Sequence, residues 1–242
     1  MLSILKKEIR SFLSSLIAYV VVAVFLLAIG LFMWVYKDTN ALDYGSASLE
    51  TLFMMAPWVF IFLVSAITMR SFAEEKKAGT IELLTTHPIT DWNIILGKFF
   101  GALCLVVFAL IPTLLYYYTI HKLGSPVGNI DTGAMWGSYI GLLFLGGCYI
   151  SVGLFASSLT ENQIVAFILS TFMCFVSFSV VGQLSGLLST GASNYYLEWL
   201  GIEYHYQSIS RGVIDTRDIT YFIGFIAFFL GLTKLSFGKR KW

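Results

Sequence analysis

The stretch RSFAEEKKAGTIELLTTHPITDW, Arg70–Trp92, decides how this chain is read. It gathers Arg70, Glu74, Glu75, Lys76, Lys77, Glu82 and Asp91 into one internal segment of a chain that is only 12% charged. Apolar runs flank it on both sides, Thr51–Met69 before and Phe99–Ile120 after. Working outward, the same pattern repeats in the uncharged runs Ser11–Tyr36, Thr132–Thr160, Asn162–Leu197 and Ile219–Thr233. A soluble domain carries about 25% charged residues, twice what this chain has. A spanning helix needs roughly 20 apolar residues. Five runs meet that length, and the sixth does so to Phe237 if the Lys234 stem reaches the interface. The expected fold class is therefore all-α: a polytopic membrane protein with six transmembrane helices.

Charge sets the expected orientation. With the N-terminus in the cytoplasm, the inner segments hold Lys6, Lys7, Arg10, Arg70, Lys76, Lys77, Lys98, Lys234, Lys239, Arg240 and Lys241. The outer ones hold Lys37, Lys122, Arg211 and Arg217, a positive-inside bias that places both termini and Arg70–Trp92 in the cytoplasm. The run behind Lys6, Lys7 and Arg10 is too long for a signal-peptide core, so it reads as the first span. The whole of 1–242 reads as one transmembrane domain, with 1–13 a cytoplasmic interfacial segment and 70–92 a cytoplasmic loop. Residues 183–217 read as outer re-entrant or interfacial structure, because Gly182 and Gly186 interrupt the fifth run and Tyr195, Tyr196, Trp199, Tyr204 and Tyr206 suit the headgroup region. Gly137/Gly141 and Gly147/Ser151 predict close helix approach, and Pro112 a kink.

Several chemistries find no residues. There is no phosphate loop, no H-E-x-x-H, no C-x-x-C and no G-x-S-x-G, and His87, His121 and His205 are scattered. Cys104, Cys148 and Cys174 are odd in number, lie in apolar runs and read as packing residues. The apolar runs hold no charged residue of the kind that marks an ion-coupled carrier. We therefore expect no enzyme activity, no cofactor and no metal.

The local grammar of the opening stretch predicts a helix through Lys77 with an Arg70/Glu74 pair at i,i+4. Gly79 stops it, Thr80 caps a short helix Ile81–Thr86 with Glu82 in its first turn, and Pro88 ends that helix. On these residues alone the segment reads equally as a solvated connector or as a helix that docks into a cytosolic partner.

The stretch Met69–Thr90 also resembles the signature loop of type-2 ABC exporter permeases, and the likeness extends over nearly the whole chain. Ser125–Asp131, Trp136–Leu142, Phe155–Phe167 and His205–Asp218 are most similar to gliding-motility-associated permeases of Bacteroidetes. Thr85, Thr86 and His87 depart slightly from the usual pattern. The resemblance implies six spans and a coupling helix between spans two and three. It also implies a cytosolic ABC ATPase subunit in two copies, a second permease half, contact with membrane lipid and none with nucleic acid. Arg70, Glu74, Glu75, Gly79, Thr80, Glu82 and Leu84 are then the expected coupling residues. Glu74, Glu75 and Glu82 would meet the ATPase, Gly79-Thr80 would set the turn, and Leu84 would fill a groove.

Overall fold

The computed structural model describes residues 1–42, 47–80, 90–183, 199–212 and 215–238. Among these residues every regular element is helical, and six helices are long and apolar enough to cross a membrane. In chain order the elements are α1 (Leu2–Leu13), α2 (Leu16–Trp34), α3 (Glu50–Lys77), α4 (Asp91–Leu123), α5 (Thr132–Leu159), α6 (Gln163–Gln183), α7 (Ile202–Ser210) and α8 (Thr216–Gly238). All but α1 and α7 are candidate spans.

The first apolar run is broken at Ser14-Ser15, where α1 gives way to α2. The short helix α1 is amphipathic: Ile4, Glu8 and Phe12 face inward at i,i+4 spacing while Lys6 and Arg10 stay exposed. It lies on the start of α4, where Gly97 and Gly101 clear a path. A Cβ at Gly97 would come within 2.9 Å of Ile4 Cγ2, and one at Gly101 within 2.9 Å of Glu8 Cβ.

Helix α5 is the centre of the bundle, with Leu142, Leu145, Tyr149, Ile150, Val152 and Leu154 fully enclosed. Its glycines make the approaches that their spacing predicts, all within the chain. Gly137 meets Gly212 and Ile209, Gly141 meets Ile209 and Tyr206, and Gly147 meets Ile226 of α8. Pro112 breaks α4 as expected, in a 3-10 turn over Ile111–Thr113. Helix α6 contains a π-helical turn, Val176–Val180, that its sequence did not announce. Cys148 and Cys174 are buried and Cys104 is exposed.

Side-chain contacts sort the spans into two ends. At one end the C-terminus of α3 meets those of α5 and α8: Phe72 packs on Phe237, Ser157 Oγ donates to Met69 O, and Ser236 Oγ donates to Ser158 O. Helix α1 and the start of α4 lie at the same end. At the other end, α7 joins the starts of α3, α5 and α8. Tyr206 donates to Phe53 O at 2.7 Å, and Ser138 Oγ donates to Ser210 O at 2.8 Å.

Candidate functional site

The root of the charged stretch lies at the α1 end. Helix α3 continues through Met69, which keeps helical dihedrals between two helical segments, into Arg70–Lys77 and stops where expected: Gly79 has φ +66°, and its N–H donates to Lys76 O. The stop is reinforced by Thr80, whose hydroxyl donates back to Glu75 O at 3.3 Å. The predicted short helix Ile81–Thr86, with Glu82 and Leu84, lies outside the described residues. Beyond it, Thr90 occupies the N-cap position of α4 without a side-chain capping bond, and Asp91 sits in the first turn.

The acidic residues of the stretch divide. Glu74 stays exposed and takes the expected i,i+4 pair with Arg70, Nε to Oε2 at 2.9 Å. Arg70 also donates to Ser15 Oγ at 3.0 Å, which ties it to the α1–α2 junction. Glu75 turns inward instead. Its Oε1 lies 3.0 Å from Lys98 Nζ and 3.0 Å from Lys7 Nζ, and Lys98 Nζ is also 2.9 Å from Glu8 Oε1. Two cations and two carboxylates from three elements therefore form one neutral network.

Lys98 is its hub. The side chain is only 2% exposed, and its ammonium sits 5.2 Å from the Phe72 ring centroid. An ammonium removed from water needs compensating charge, and two carboxylates supply it. For Lys7, burial of the stem pulls the ammonium pKa down. The hydrogen bond and charge of Glu75, with the charge of Glu8, outweigh this and leave it above its ordinary value. The other oxygen, Glu75 Oε2, is buried without a hydrogen-bond partner among the described residues. Lys76 donates to Ser158 O, so the next residue is tied to α5.

Sequence reasoning placed Lys98 in a cytoplasmic segment and gave it no role. The structure puts it two turns inside α4, flanked by the glycines on which α1 rests. The signal was available in Gly97-Lys98-Phe99-Phe100-Gly101: a small-residue pair bracketing a cation beside an amphipathic helix with an inward Glu8.

The α7 end also holds a buried polar pair that the sequence left unmarked. His205 is fully enclosed, with Nδ1 2.6 Å from Asp218 Oδ1 and Nε2 2.8 Å from Trp199 O. A carbonyl only accepts, so the Nε2 that faces Trp199 O is the nitrogen that carries an N–H. Tyr221 stacks on the imidazole at 3.9 Å and donates its hydroxyl to Leu200 O. Of the aromatics expected at this surface, Tyr206 is buried and Trp199 exposed; Tyr195 and Tyr196 lie outside the described residues.

Among the described residues no three His, Cys, Asp or Glu converge. What the α1 end offers is mechanical: an exposed turn whose root is locked to a surface helix and two spans. Residues 2–242 match the model of the "ABC-2 family transporter protein" family.

The chain belongs to the ABC-2 transporter family.

It is a multi-pass membrane protein of that family. It is 24% identical over 172 residues to a protein described as "Probable multidrug ABC transporter permease YbhR" in Escherichia coli strain K12, and equally so to its counterpart in strain O157:H7. The match takes in 71% of this chain and 44% of each relative, so the chain aligns with less than half the length of the curated proteins it resembles.

Proposed function

We propose that this ABC-2 chain is the permease subunit of an ATP-driven exporter and that Arg70–Trp92 is where a cytosolic ATPase engages it. The observation that carries the reading is the Lys98 network. A load applied to the turn at Gly79-Thr80 acts on a helix end whose Glu75 is bound to Lys98 of α4 and Lys7 of α1. Movement of the turn therefore shifts α3, α4 and α1 together. In this reading Glu74 and Glu82 meet the ATPase, Leu84 fills its groove and Gly79-Thr80 sets the turn. Arg70 ties the segment to Ser15, and Glu75 passes the load inward. ATP is hydrolysed by two copies of the partner, and a second permease half completes the pathway.

The positive-inside bias supports an inner (plasma) membrane location with both termini cytoplasmic. The likeness of Ser125–Asp131 and His205–Asp218 to gliding-motility permeases supports a role in gliding motility. That likeness also favours a second reading, in which the complex does mechanical or assembly work at the envelope without moving a substrate.

The test is co-expression with a phosphate-loop ATPase, sought first in the neighbouring reading frames. Glu82→Arg should abolish its co-purification and the ATP turnover of the complex. Undiminished binding and turnover would refute the coupling assignment.

A further inference from the structure

The α7 end borders a half-open cavity of about 660 Å³, at the opposite end of the spans from the Lys98 network. Ligand pockets run from about 300 to 1,000 Å³, so this one has room for a drug-sized molecule. Its walls are fastened together by two hydrogen bonds. Tyr206 of α7 donates to Phe53 O of α3, and Ser138 of α5 donates to Ser210 O of α7.

The lining is chemically divided. Phe53, Phe178 and Tyr206 are buried and form an aromatic interior, joined by the exposed Trp58. Trp58 and Phe178 meet edge to face at 5.4 Å, and of the aromatic lining it is Trp58 that stays exposed. The charged members are Glu50, Asp131 and Glu203 against Arg211, and they are the more exposed part of the lining. Among the described residues none of these three carboxylates is in a salt bridge. Their hydrogen bonds are to neutral donors: Ala134 N to Asp131 at 3.0 Å and Gln207 Nε2 to Glu203 at 3.2 Å. Partial burial holds the Glu203 carboxyl above its ordinary value, against the pull of the Gln207 bond.

An aromatic interior with three carboxylates and one guanidinium favours one ligand class. Rings attract cations through their faces, and an uncompensated carboxylate gains most from a positive charge that arrives with little hydration. Anions meet the rings and the carboxylates with the wrong sign, and Arg211 alone favours them. We propose that this cavity is a binding site for amphiphilic organic cations, with the ring-bearing body against Phe53, Trp58 and Tyr206 and the charge held by Glu203 and Glu50. The inference extends the permease reading by giving its α7 end a ligand class.

The test uses the full chain in lipid nanodiscs, with empty nanodiscs as the partition background. Tetraphenylphosphonium and tetraphenylborate have nearly the same shape and opposite charge, so the pair separates charge from hydrophobicity. We expect saturable binding of the phosphonium that the borate does not displace. Glu203→Gln should weaken it at least ~10-fold, about 1.4 kcal/mol. Trp58→Ala should weaken it comparably, while Glu161→Gln, at the far end, should leave it unchanged. Equal saturable binding of both ions, no saturable binding of the phosphonium, or binding indifferent to both cavity variants would each overturn the proposal. No ATPase takes part in this measurement, so its failure leaves the coupling reading standing, and failure of the Glu82→Arg test leaves this one standing.

Discussion

At the α1 end, three elements meet through four charged side chains, with Lys98 at their centre; at the α7 end, four elements meet through hydroxyl-to-carbonyl bonds and one imidazole–carboxylate pair. Both ends face the same problem, polar groups removed from water, and they solve it differently. Hydroxyl bonds such as Tyr206 to Phe53 O at 2.7 Å depend steeply on distance and angle, so they fix one geometry and suit a cavity whose shape must persist. Charge attraction falls off slowly, so the Lys98 cluster can hold its elements together while they shift by fractions of an ångström. The chemistry of each end suits the task we assign it.

The comparison can be broken by removing one group at a time. The largest effect should follow Lys98→Met, which strands the Glu8 carboxylate and leaves Glu75 with Lys7 alone, in a site from which water is largely excluded. Removing one partner of a buried ion pair costs about 3–5 kcal/mol, which denaturant unfolding in mixed micelles would register. Adding Glu8→Gln to Lys98→Met should recover part of that loss. An additive double variant would mean that the two side chains do not interact.

A smaller loss should follow Asp218→Asn, which keeps an acceptor beside His205 Nδ1 but removes the charge. Hydrogen bonds to charged groups contribute about 1.5–3 kcal/mol. The loss should be local, with faster amide exchange in α7 and no change in α1. Acceleration spread over both ends would show that they are not separable. The smallest effect should come from Glu74→Gln, because its pair with Arg70 is exposed and such pairs contribute about 0.3–0.5 kcal/mol. A loss as large as that for Lys98 would mean that Glu74 holds structure that the geometry gives to Glu75.

How far the sequence carried the reading follows the same division. Six spans were legible because bilayer thickness translates directly into run length, and Pro112 and Gly79 did locally what their backbones require. The Arg70/Glu74 pair was legible because i,i+4 neighbours on a helix need no tertiary information. The inward turn of Glu75 was not, since Glu74 and Glu75 look alike in sequence. Only the arrival of Lys98 from α4 and Lys7 from α1 separates them. His205 and Asp218, thirteen positions apart, became partners only when α7 folded back against the start of α8. Pairings between elements far apart in the chain are what a single sequence hides.

The account rests on which end faces the cytoplasm. In a variant with Cys104, Cys148 and Cys174 replaced by serine, single cysteines at the exposed positions Lys77 and Thr216 report the two ends. A membrane-impermeant maleimide added to spheroplasts, whose outer barrier has been removed, should label Lys77→Cys only after lysis and Thr216→Cys before it. The reverse pattern would put the Arg70–Trp92 turn beyond the reach of any cytosolic ATPase and contradict the coupling account outright.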